Sequence, residues 1–220
     1  MERNTAKRTL EKLLSVCICL CMLGVMLPAQ VFAEEADTAQ TETVQDTAPK
    51  DTVYLSSADD LIQLAENCRL DSWSQNRTVV LEADIDLSSV DFNGIPSFGG
   101  TWEGQNHAIT GLSLSQDGSV QGLFRYVQQG ALVRDMTVKG RIKPGGTRAS
   151  VGGIAGSNAG TIENCAFDGV VSGTSQIGGI AGVNTVKGSI NGCTVSGTVY
   201  GSHFVGGVVG QNDGVAANCT

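Results

Sequence analysis

The sequence predicts a mainly β fold, a right-handed parallel β-helix in which each turn of the chain stacks on the one before it. A glycine-rich line recurs three times, beginning at Val151, Ile177 and Val205, so that its starts lie 26 and 28 residues apart. Glycine and β-branched residues dominate the segments between these lines, which excludes helical repeats. A fixed period in this range is typical of solenoids, whose units bury their apolar faces only against neighbouring units.

The short strands explain why such a repeat should coil. We expect about three strands of about three to five residues in each repeat, too little for a stable sheet within one unit. If each repeat turns the chain once, equivalent strands pair in parallel and their apolar residues form columns about 4.8 Å apart. The handedness of parallel crossovers sets the sense of the coil. A β-propeller is the remaining alternative, although its blades usually need about 40 residues or more.

Residues 1–33 have the features of a signal peptide. A basic leader precedes an apolar run over 13–27, and Val31, Phe32 and Ala33 end the segment where a signal peptidase would cleave. The run is about 15 residues, whereas a membrane-spanning helix needs roughly 20. The sequence therefore predicts export, with an uncleaved anchor as the alternative.

Residues 34–50 form a Thr-rich, acidic stretch with almost no large apolar side chains, which is typical of a disordered linker. Residues 1–33 hold four of the 14 Lys and Arg and two of the 22 Asp and Glu, so the remainder carries 10 basic against 20 acidic residues. This charge disfavours nucleic acid and anionic membranes as partners. After cleavage of the signal peptide, we expect no membrane span.

Residues 51–97 are predicted to form an N-terminal cap. A Ser-Ser-Ala-Asp-Asp sequence and apolar residues at helical spacing predict one short amphipathic helix at about 57–68. A strand is expected at about 78–87, where Leu81, Ile85 and Leu87 alternate with polar residues. The helix would cover the first exposed turn of the solenoid.

Residues 98–220 are predicted to form the β-helix itself. The repeats align beyond the glycine line, so that equivalent residues are expected to stack in columns. Three such columns are Val138, Phe167 and Val195; Ile142, Val171 and Val199; and Leu123, Ile154, Ile180 and Val208. Arg125 departs from the pattern because the later copies have a small residue there, and its corner is expected to differ. Because an uncapped solenoid would expose apolar columns, we expect more chain beyond Thr220.

Polar and sulfur-containing residues also recur once per repeat. Asn158, Asn184 and Asn212 end the three glycine lines; they can adopt the left-handed conformation at a corner and could bond to one another. The glycines would permit positive φ at corners or close backbone approach. Three cysteines fall at equivalent positions of successive repeats: Cys165, Cys193 and Cys219. We expect them to pack in a column and, less readily, to form disulfides.

With these residues aligned, the chain resembles the GLUG-repeat family of bacterial surface β-helices. The matching cores are Gly122-Leu-Phe, Gly153-Ile-Ala-Gly156, Gly179-Ile-Ala-Gly182 and Gly207-Val-Val-Gly210. The resemblance covers about residues 78–220 and implies an exported, modular, bacterial protein. Similar repeats precede the catalytic domain of immunoglobulin A1 protease-type metallopeptidases.

No catalytic or cofactor-binding residue is predicted. A zinc peptidase would need two histidines one helical turn apart, whereas His107 and His203 are the only histidines and lie far apart. His107 follows Gly-Gln-Asn and is interpreted as a solvated or turn-bonded residue. The candidates for a calcium site are Asp84, Asp86 and Asp91, with a solvated strand face as the alternative interpretation.

The aromatic residues allow two interpretations, a platform for sugars or packing in the core and corners. They are Trp73, Trp102, Phe124, Tyr126, Tyr200 and Phe204. Because they occupy different positions within the repeats, packing is favoured.

Three functional hypotheses follow, and the last of them is that this segment is itself a glycan-active enzyme. The first is a noncatalytic, secreted or cell-surface module that acts as a stalk or adhesion scaffold, with a host or cell-surface glycan or protein as its partner. The second is an accessory region of a larger exported enzyme, either a metallopeptidase or a carbohydrate-active enzyme. Because β-helices serve many functions, the fold does not decide between them.

Overall fold

The structure, a computed structural model, describes residues 51–146 and 150–220. The predicted signal peptide (1–33) and linker (34–50) lie outside these residues. The described chain is mainly β, a parallel β-solenoid of about six turns with one short helix, α1 (Ala58–Asn67). The strands, in chain order, are β1 (Thr52–Leu55), β2 (Thr78–Leu81), β3 (Ile85–Asp86), β4 (Ile95–Phe98), β5 (Thr101–Glu103), β6 (Ala108–Leu114), β7 (Val120–Gln121), β8 (Phe124–Val127), β9 (Leu132–Arg134), β10 (Thr137–Ile142), β11 (Ser150–Gly152), β12 (Ala155–Asn158), β13 (Thr161–Glu163), β14 (Ala166–Ser172), β15 (Ser175–Gly178), β16 (Ala181–Asn184), β17 (Ser189–Asn191), β18 (Thr194–Tyr200), β19 (His203–Gly206), β20 (Val209–Asn212) and β21 (Val215–Ala217).

These strands form four parallel sheets that run along the solenoid. Sheet I has the order β1-β2-β5-β9-β13-β17-β21, and sheet II has the order β3-β6-β10-β14-β18. Sheet III has the order β7-β11-β15-β19, and sheet IV has the order β4-β8-β12-β16-β20. A complete turn contributes one strand to each sheet. Each repeat therefore has four strands, and the prediction of about three was wrong. The fourth arises because the glycine line is not one strand: β11 ends at Gly152, the chain bends, and β12 begins at Ala155.

The helix α1 lies within the predicted range of 57–68 and is built as its sequence indicates. Ser57 is the N-cap, its hydroxyl accepts a hydrogen bond from the Asp60 N–H, and the Asp60 carboxylate accepts one from the Ser57 hydroxyl at 2.8 Å. Leu61 and Leu64 are buried and belong to the same continuous core as the sheets. The apolar face of the helix therefore joins the core at the start of the solenoid.

The cap differs from the expectation in two respects. The strand expected at about 78–87 is two strands, β2 and β3, in two different sheets. The inward alternation of Leu81, Ile85 and Leu87 continues around the corner between them, so sequence periodicity alone runs the two strands together. In addition, an unexpected strand, β1, precedes the helix in the chain and pairs in parallel with β2, which follows the helix. Residues 51–97 thus contribute strands to the same sheets as the repeats.

The predicted apolar columns are present in the core. Val138, Phe167 and Val195 are direct partners in sheet II, as are Ile142, Val171 and Val199. At the bend inside the glycine line, backbone hydrogen bonds link Ile154 to Ile180 and Ile180 to Val208. The widest side chains fill the first turns: the Trp102 ring lies edge-on to Phe98 and Phe124, with centroids 5.9 and 5.1 Å apart.

The asparagines at the ends of the glycine lines form a ladder that is buried at Asn158 and Asn184 and exposed at Asn212. The Asn158 amide donates to Asn184 Oδ1 at 2.8 Å, and the Asn184 amide donates to Asn212 Oδ1 at 2.8 Å. In the two preceding turns the same column holds Val127 and Phe98. The ladder was predicted, but the left-handed conformation was not correctly placed, because these asparagines end β-strands.

A recurring set of left-handed residues lies at another corner, between sheets I and II. Asp135, Asn164, Gly192 and Asn218 have φ values of 56°, 51°, 65° and 55°. Asn, Asp and Gly tolerate this conformation best. The Asn164 amide donates to the Asp135 carboxylate at 3.1 Å, and the Asn218 amide donates to Asn191 Oδ1 at 2.8 Å. The strands of sheet I therefore end at a corner that recurs once in every turn.

Candidate functional site

An open groove of about 490 Å³ lies beside the helix, in the first two turns of the solenoid. One wall is a single face of α1, and the opposite wall is the loop between β3 and β4 together with Gln116 and Arg125. The lining residues are Ile62, Ala65, Glu66, Arg69, Asp91, Phe92, Asn93, Gly94, Pro96, Gln116 and Arg125. Its volume lies within the range typical of small-molecule sites, about 300 to 1,000 Å³.

Arg125 occupies a special register position in sheet IV. The residues on either side of Arg125 in β8 pair with the residues on either side of Gly156 in β12, so Arg125 and Gly156 occupy equivalent positions. Gly182 and Gly210 occupy the same position in the next two turns. In the later turns this position must be glycine: a Cβ on Gly182 would lie 2.5 Å from the Val151 nitrogen and 2.8 Å from the Gln176 oxygen. The reason is close approach of sheet IV to the sheet III strand of the preceding turn, not positive φ.

The groove exists because the first turn contributes no strand to sheet III. Sheet III begins with β7, whereas sheet IV already begins with β4. Residues 87–94 run as a loop between β3 and β4, and a Cβ on Gly94 would lie 3.8 Å from Arg125 Cγ. The long side chain of Arg125 therefore has room at a position where the later turns accommodate only glycine, whose side chain is a hydrogen atom. The expectation that this corner differs from the others is correct.

Several polar side chains of the groove have no partner among the described residues. The Arg125 side chain forms no ion pair or hydrogen bond with any described residue, and its Nε is buried without a hydrogen-bond partner. Asp91 and Asn93 are exposed and likewise form no side-chain hydrogen bond within the described part of the chain. By contrast, Arg69 Nε lies 2.8 Å from Glu66 Oε2, so these two charges offset each other. A buried donor without an acceptor is unusual in a folded protein.

The structure does not bring the three calcium candidates together as free carboxylates. Asp84 Oδ1 accepts a hydrogen bond from the Ala108 N–H at 2.8 Å and lies 3.1 Å from His107 Nδ1. Asp86 accepts from the N–H and the hydroxyl of Ser88, both at 2.9 Å. Asp91 lines the groove instead. Across residues 51–146 and 150–220, no group of three or more His, Cys, Asp or Glu could hold a metal ion.

The hydrogen bonds of Asp84 and Asp86 stabilise their ionised forms. The Ala108 N–H and then His107 hold the pKa of Asp84 below its ordinary value, and the Ser88 N–H and hydroxyl do the same for the pKa of Asp86. His107 is thus bonded to a carboxylate at the start of β6. Its contacts tie one turn of the solenoid to the next.

The aromatic candidates divide between core and surface. Trp102 and Phe124 are fully buried, and Trp73 carries the Arg77 guanidinium 4.6 Å from its ring centroid. Tyr126, Tyr200 and Phe204 are exposed, and they belong to three different sheets. The six residues therefore do not line a common surface.

The four cysteines of the described chain are free thiols. Cys165 and Cys193 are buried and follow one another in the stack, and the Sγ of each donates to a carbonyl oxygen of its own turn, that of Glu163 and that of Asn191. Burial raises the pKa of Cys68 to about 11 and that of Cys193 to about 11, and it raises the pKa of Cys165 as well. The packing column is the correct interpretation of these cysteines.

Sequence comparison identifies the repeat. Residues 147–172 match the family model of the GLUG motif; the match takes in β11 to β14. The chain carries a GLUG repeat. It is also 29% identical to halomucin of Haloquadratum walsbyi, in an alignment of 171 residues that covers 70% of this chain and 2% of that protein.

A solved structure shares the fold of this GLUG-repeat chain. It is a crystal structure from Bacteroides ovatus, described as that of a candidate immunoglobulin A1 protease. The two are 21% identical with a TM-score of 0.50, over 74% of this chain and 63% of the other. At this identity the likeness shows the fold alone. Within the described residues, no helix has the length and apolar character needed to cross a membrane.

The groove residues were only partly accessible to sequence reasoning. Arg125 was identified as a departure from the repeat and Asp91 as a calcium candidate, but neither was assigned to a groove. Asn93 and Gln116 were missed altogether. The one available signal was a long charged side chain at a position that is otherwise glycine.

Proposed function

We propose that this chain is a noncatalytic, exported β-solenoid module that acts as a stalk or adhesion scaffold at the cell surface. The observation that carries the proposal is the continuity of the stack: equivalent residues of successive turns pair in all four sheets. The repeated side chains are used for stacking, as the buried columns of Ile154 and Ile180 and of Asn158 and Asn184 illustrate. A solenoid of this kind provides an extended surface and a spacer.

Composition and similarity support a place outside the cell. The signal-like residues 1–33 and the excess of acidic residues in the remainder are suited to an exported protein that stays in solution. The GLUG repeat and the similarity to halomucin are consistent with a surface or secreted protein.

Export can be tested with the full-length chain carrying an epitope tag after Thr220. We expect the tag to be degraded when protease is added to intact bacterial cells, and the mature N-terminus to be Glu34. Leu20→Arg, which puts a charge into the apolar run, is the matched control and should keep the tag protected inside the cell. A tag that survives in the unmodified protein, with residues 1–33 still attached, would contradict export.

Adhesion is tested separately, with cells that display the chain. Displaying cells should attach to glycan- or protein-coated surfaces more than cells that carry the Leu20→Arg form. Equal attachment on every coating would favour a stalk without an adhesive role.

The second candidate is an accessory region of a larger exported enzyme. The fold shared with the Bacteroides ovatus protein, described as a candidate immunoglobulin A1 protease, favours it. Reading the natural coding sequence beyond codon 220 distinguishes the two. An HExxH helix or a turn rich in paired carboxylates would support an enzyme, whereas further GLUG repeats and an anchoring segment would support a stalk.

A further inference from the structure

We propose that the groove between α1 and the β3–β4 loop binds a carboxylate-bearing sugar residue, and that Arg125 holds the carboxylate. The proposal deepens the adhesive role and rests on it for its biological meaning. Binding in solution is nevertheless measured independently of surface display, so that failure of one leaves the other open to its own test.

Arg125 is the group that points to an anion. Its side chain lines the groove, it forms no ion pair with a described carboxylate, and its Nε is buried without an acceptor. A guanidinium presents parallel N–H groups that match the two oxygens of a carboxylate. The two Nη groups of Arg125 are neither buried nor hydrogen-bonded to a described residue, so they are the donors that a carboxylate in the groove can reach.

The remaining polar groups suit sugar hydroxyls. Asp91 supplies an acceptor, and the amides of Asn93 and Gln116 supply both donors and acceptors. A hydroxyl group donates and accepts, so it can satisfy each of these side chains. Because Arg69 and Glu66 pair with each other, Arg125 and Asp91 are the two unpaired charges of the groove. A ligand that carries one carboxylate among several hydroxyls matches this arrangement.

The same lining favours a sugar over a peptide. An extended peptide would add to a sheet edge, but the edge strand of sheet III, β7, contributes neither of its residues to the lining. The aromatic ring of Phe92 is buried beneath the groove, so it offers no open apolar pocket for a peptide side chain. The exposed side chains that line the groove all carry planar polar groups, which suit the hydroxyl groups of a sugar.

The test uses the purified full-length protein and two matched pairs of probes. Digalacturonic acid is compared with its methyl ester, and sialyllactose with the methyl ester of its sialic acid carboxyl group, by isothermal titration calorimetry. We expect at least one acid to bind, and its neutral counterpart to bind about 10- to 100-fold more weakly, the range that follows from losing a hydrogen-bonded charge. Because the ester comparison uses the unmodified protein, it does not depend on the folding of any variant.

Substitutions locate the binding. Arg125→Gln should weaken binding of the acid as much as esterification does, and the ester should bind this variant and the unmodified protein alike. Arg141→Gln removes the same charge from an exposed position of β10 outside the groove, and it should leave affinity unchanged. Circular dichroism verifies that both variants are folded; if Arg125→Gln is not, Asn93→Ala serves in its place.

Three outcomes would overturn the proposal. They are no binding of either acid, equal binding of acid and neutral probe, and unchanged affinity in both groove variants. Tight binding of a short acidic peptide, with no binding of the sugars, would also overturn it and assign the groove to protein ligands instead.

Discussion

Arg125 in β8 and Gly156 in β12 occupy the same register position of sheet IV, one turn apart. At Gly156 a Cβ would lie 2.4 Å from Val120 Cγ1, whereas the Arg125 side chain extends into an open groove. The difference lies in the preceding turn, which supplies a sheet III strand to Gly156 and only a loop to Arg125. One absent strand thus changes a packing position into a candidate binding position.

The glycine of the later turns is predicted to be a requirement of packing. Gly182→Ala should lower the free energy of unfolding by about 3 kcal/mol, because the new methyl group meets backbone atoms that cannot move aside. Gly207→Ala is the matched control, since its Cβ would meet nothing within 4 Å, and it should change stability by no more than about 0.5 kcal/mol. Urea denaturation followed by circular dichroism measures both. Equal effects would refute the packing explanation.

The asparagine ladder is predicted to be energetically coupled. Asn158→Val and Asn184→Val should each destabilise the fold, because each removes one hydrogen bond of its buried neighbour: Asn158→Val takes the donor away from Asn184 Oδ1, and Asn184→Val takes that acceptor away from the Asn158 amide. The double variant should cost less than the sum of the two by about 0.5 to 3 kcal/mol. Valine is a reasonable substitute, since Val127 occupies the same column one turn earlier. A double-mutant cycle in urea provides the measurement, and strict additivity would show that the ladder bonds contribute nothing.

The buried thiols are predicted to be unreactive in the folded protein. Cys68, Cys165 and Cys193 are at most 1% exposed, and burial raises the pKa of Cys68 and Cys193 to about 11. At pH 8 iodoacetamide should therefore modify them slowly in the native state and rapidly in urea, as followed by peptide mass spectrometry. Resistance of Cys165 and Cys193 in urea without a reductant would instead indicate a disulfide.

Stability is predicted to fall in acid below about pH 4. The Ser56 N–H and then the Ser57 hydroxyl hold the pKa of Asp60 below 3.8, and Asp84 and Asp86 are shifted in the same direction. At pH values between the lowered pKa values of the folded protein and the ordinary value of 3.8, the unfolded chain therefore binds more protons than the folded protein does. The stabilisation is present above the unfolded pKa of 3.8 and is lost as the pH falls through the folded values.

A pair of variants on α1 tests this assignment. Asp60→Asn should flatten the acid limb of a plot of Tm against pH. Asp59→Asn removes the same charge from the same helical turn, but the Asp59 carboxylate makes no hydrogen bond within the described residues, so the limb should keep its slope. Identical profiles for the two variants would argue against the cap as the source.

Calcium is predicted not to stabilise the fold. Asp84 and Asp86 already accept hydrogen bonds from Ala108 and Ser88, so a cation would have to displace them. Millimolar Ca²⁺, the range of weak extracellular sites, should leave Tm unchanged relative to chelator. A rise in Tm that Asp84→Asn abolishes would instead establish a calcium site.

Sequence reasoning recovered the features that depend on repetition. The columns of Ile154 and Val138 and the stacking of the cysteines follow from equivalent positions in successive repeats, whereas the helix at Ala58–Asn67 follows from its capping residues and the helical spacing of its apolar residues. Sequence periodicity did not reveal the corner between Leu81 and Ile85, because inward-facing and outward-facing residues continue to alternate through it. A period of two does not distinguish one long strand from two strands that meet at a bend. The positions of the left-handed residues were missed for a related reason: Asn is suited to a strand end as well as to a corner.

The groove could not have been derived from periodicity at all. It arises from an element that one turn lacks, and a missing strand leaves no pattern of its own. Only the replacement of glycine by Arg125 marks the place, and that signal does not reveal which residues lie opposite. The other lining residues of the groove come mainly from α1, from the loop between β3 and β4 and from the loop between β6 and β7, and only the folded solenoid brings these elements together.

The identical pairing of β13 to β16 with β17 to β20 has a consequence for how such a protein can change. Because every strand of one unit meets its own counterpart in the next, an extra copy of residues 161–188 inserted after Gly188 would pair strand by strand with its neighbours and leave the contacts of the earlier turns unchanged. Each duplication would lengthen the stack by about 4.8 Å while the groove near the N-terminus stays untouched. The length of the stack and the groove are therefore structurally independent, and the length can change in increments of one unit while the residues that line the groove stay the same.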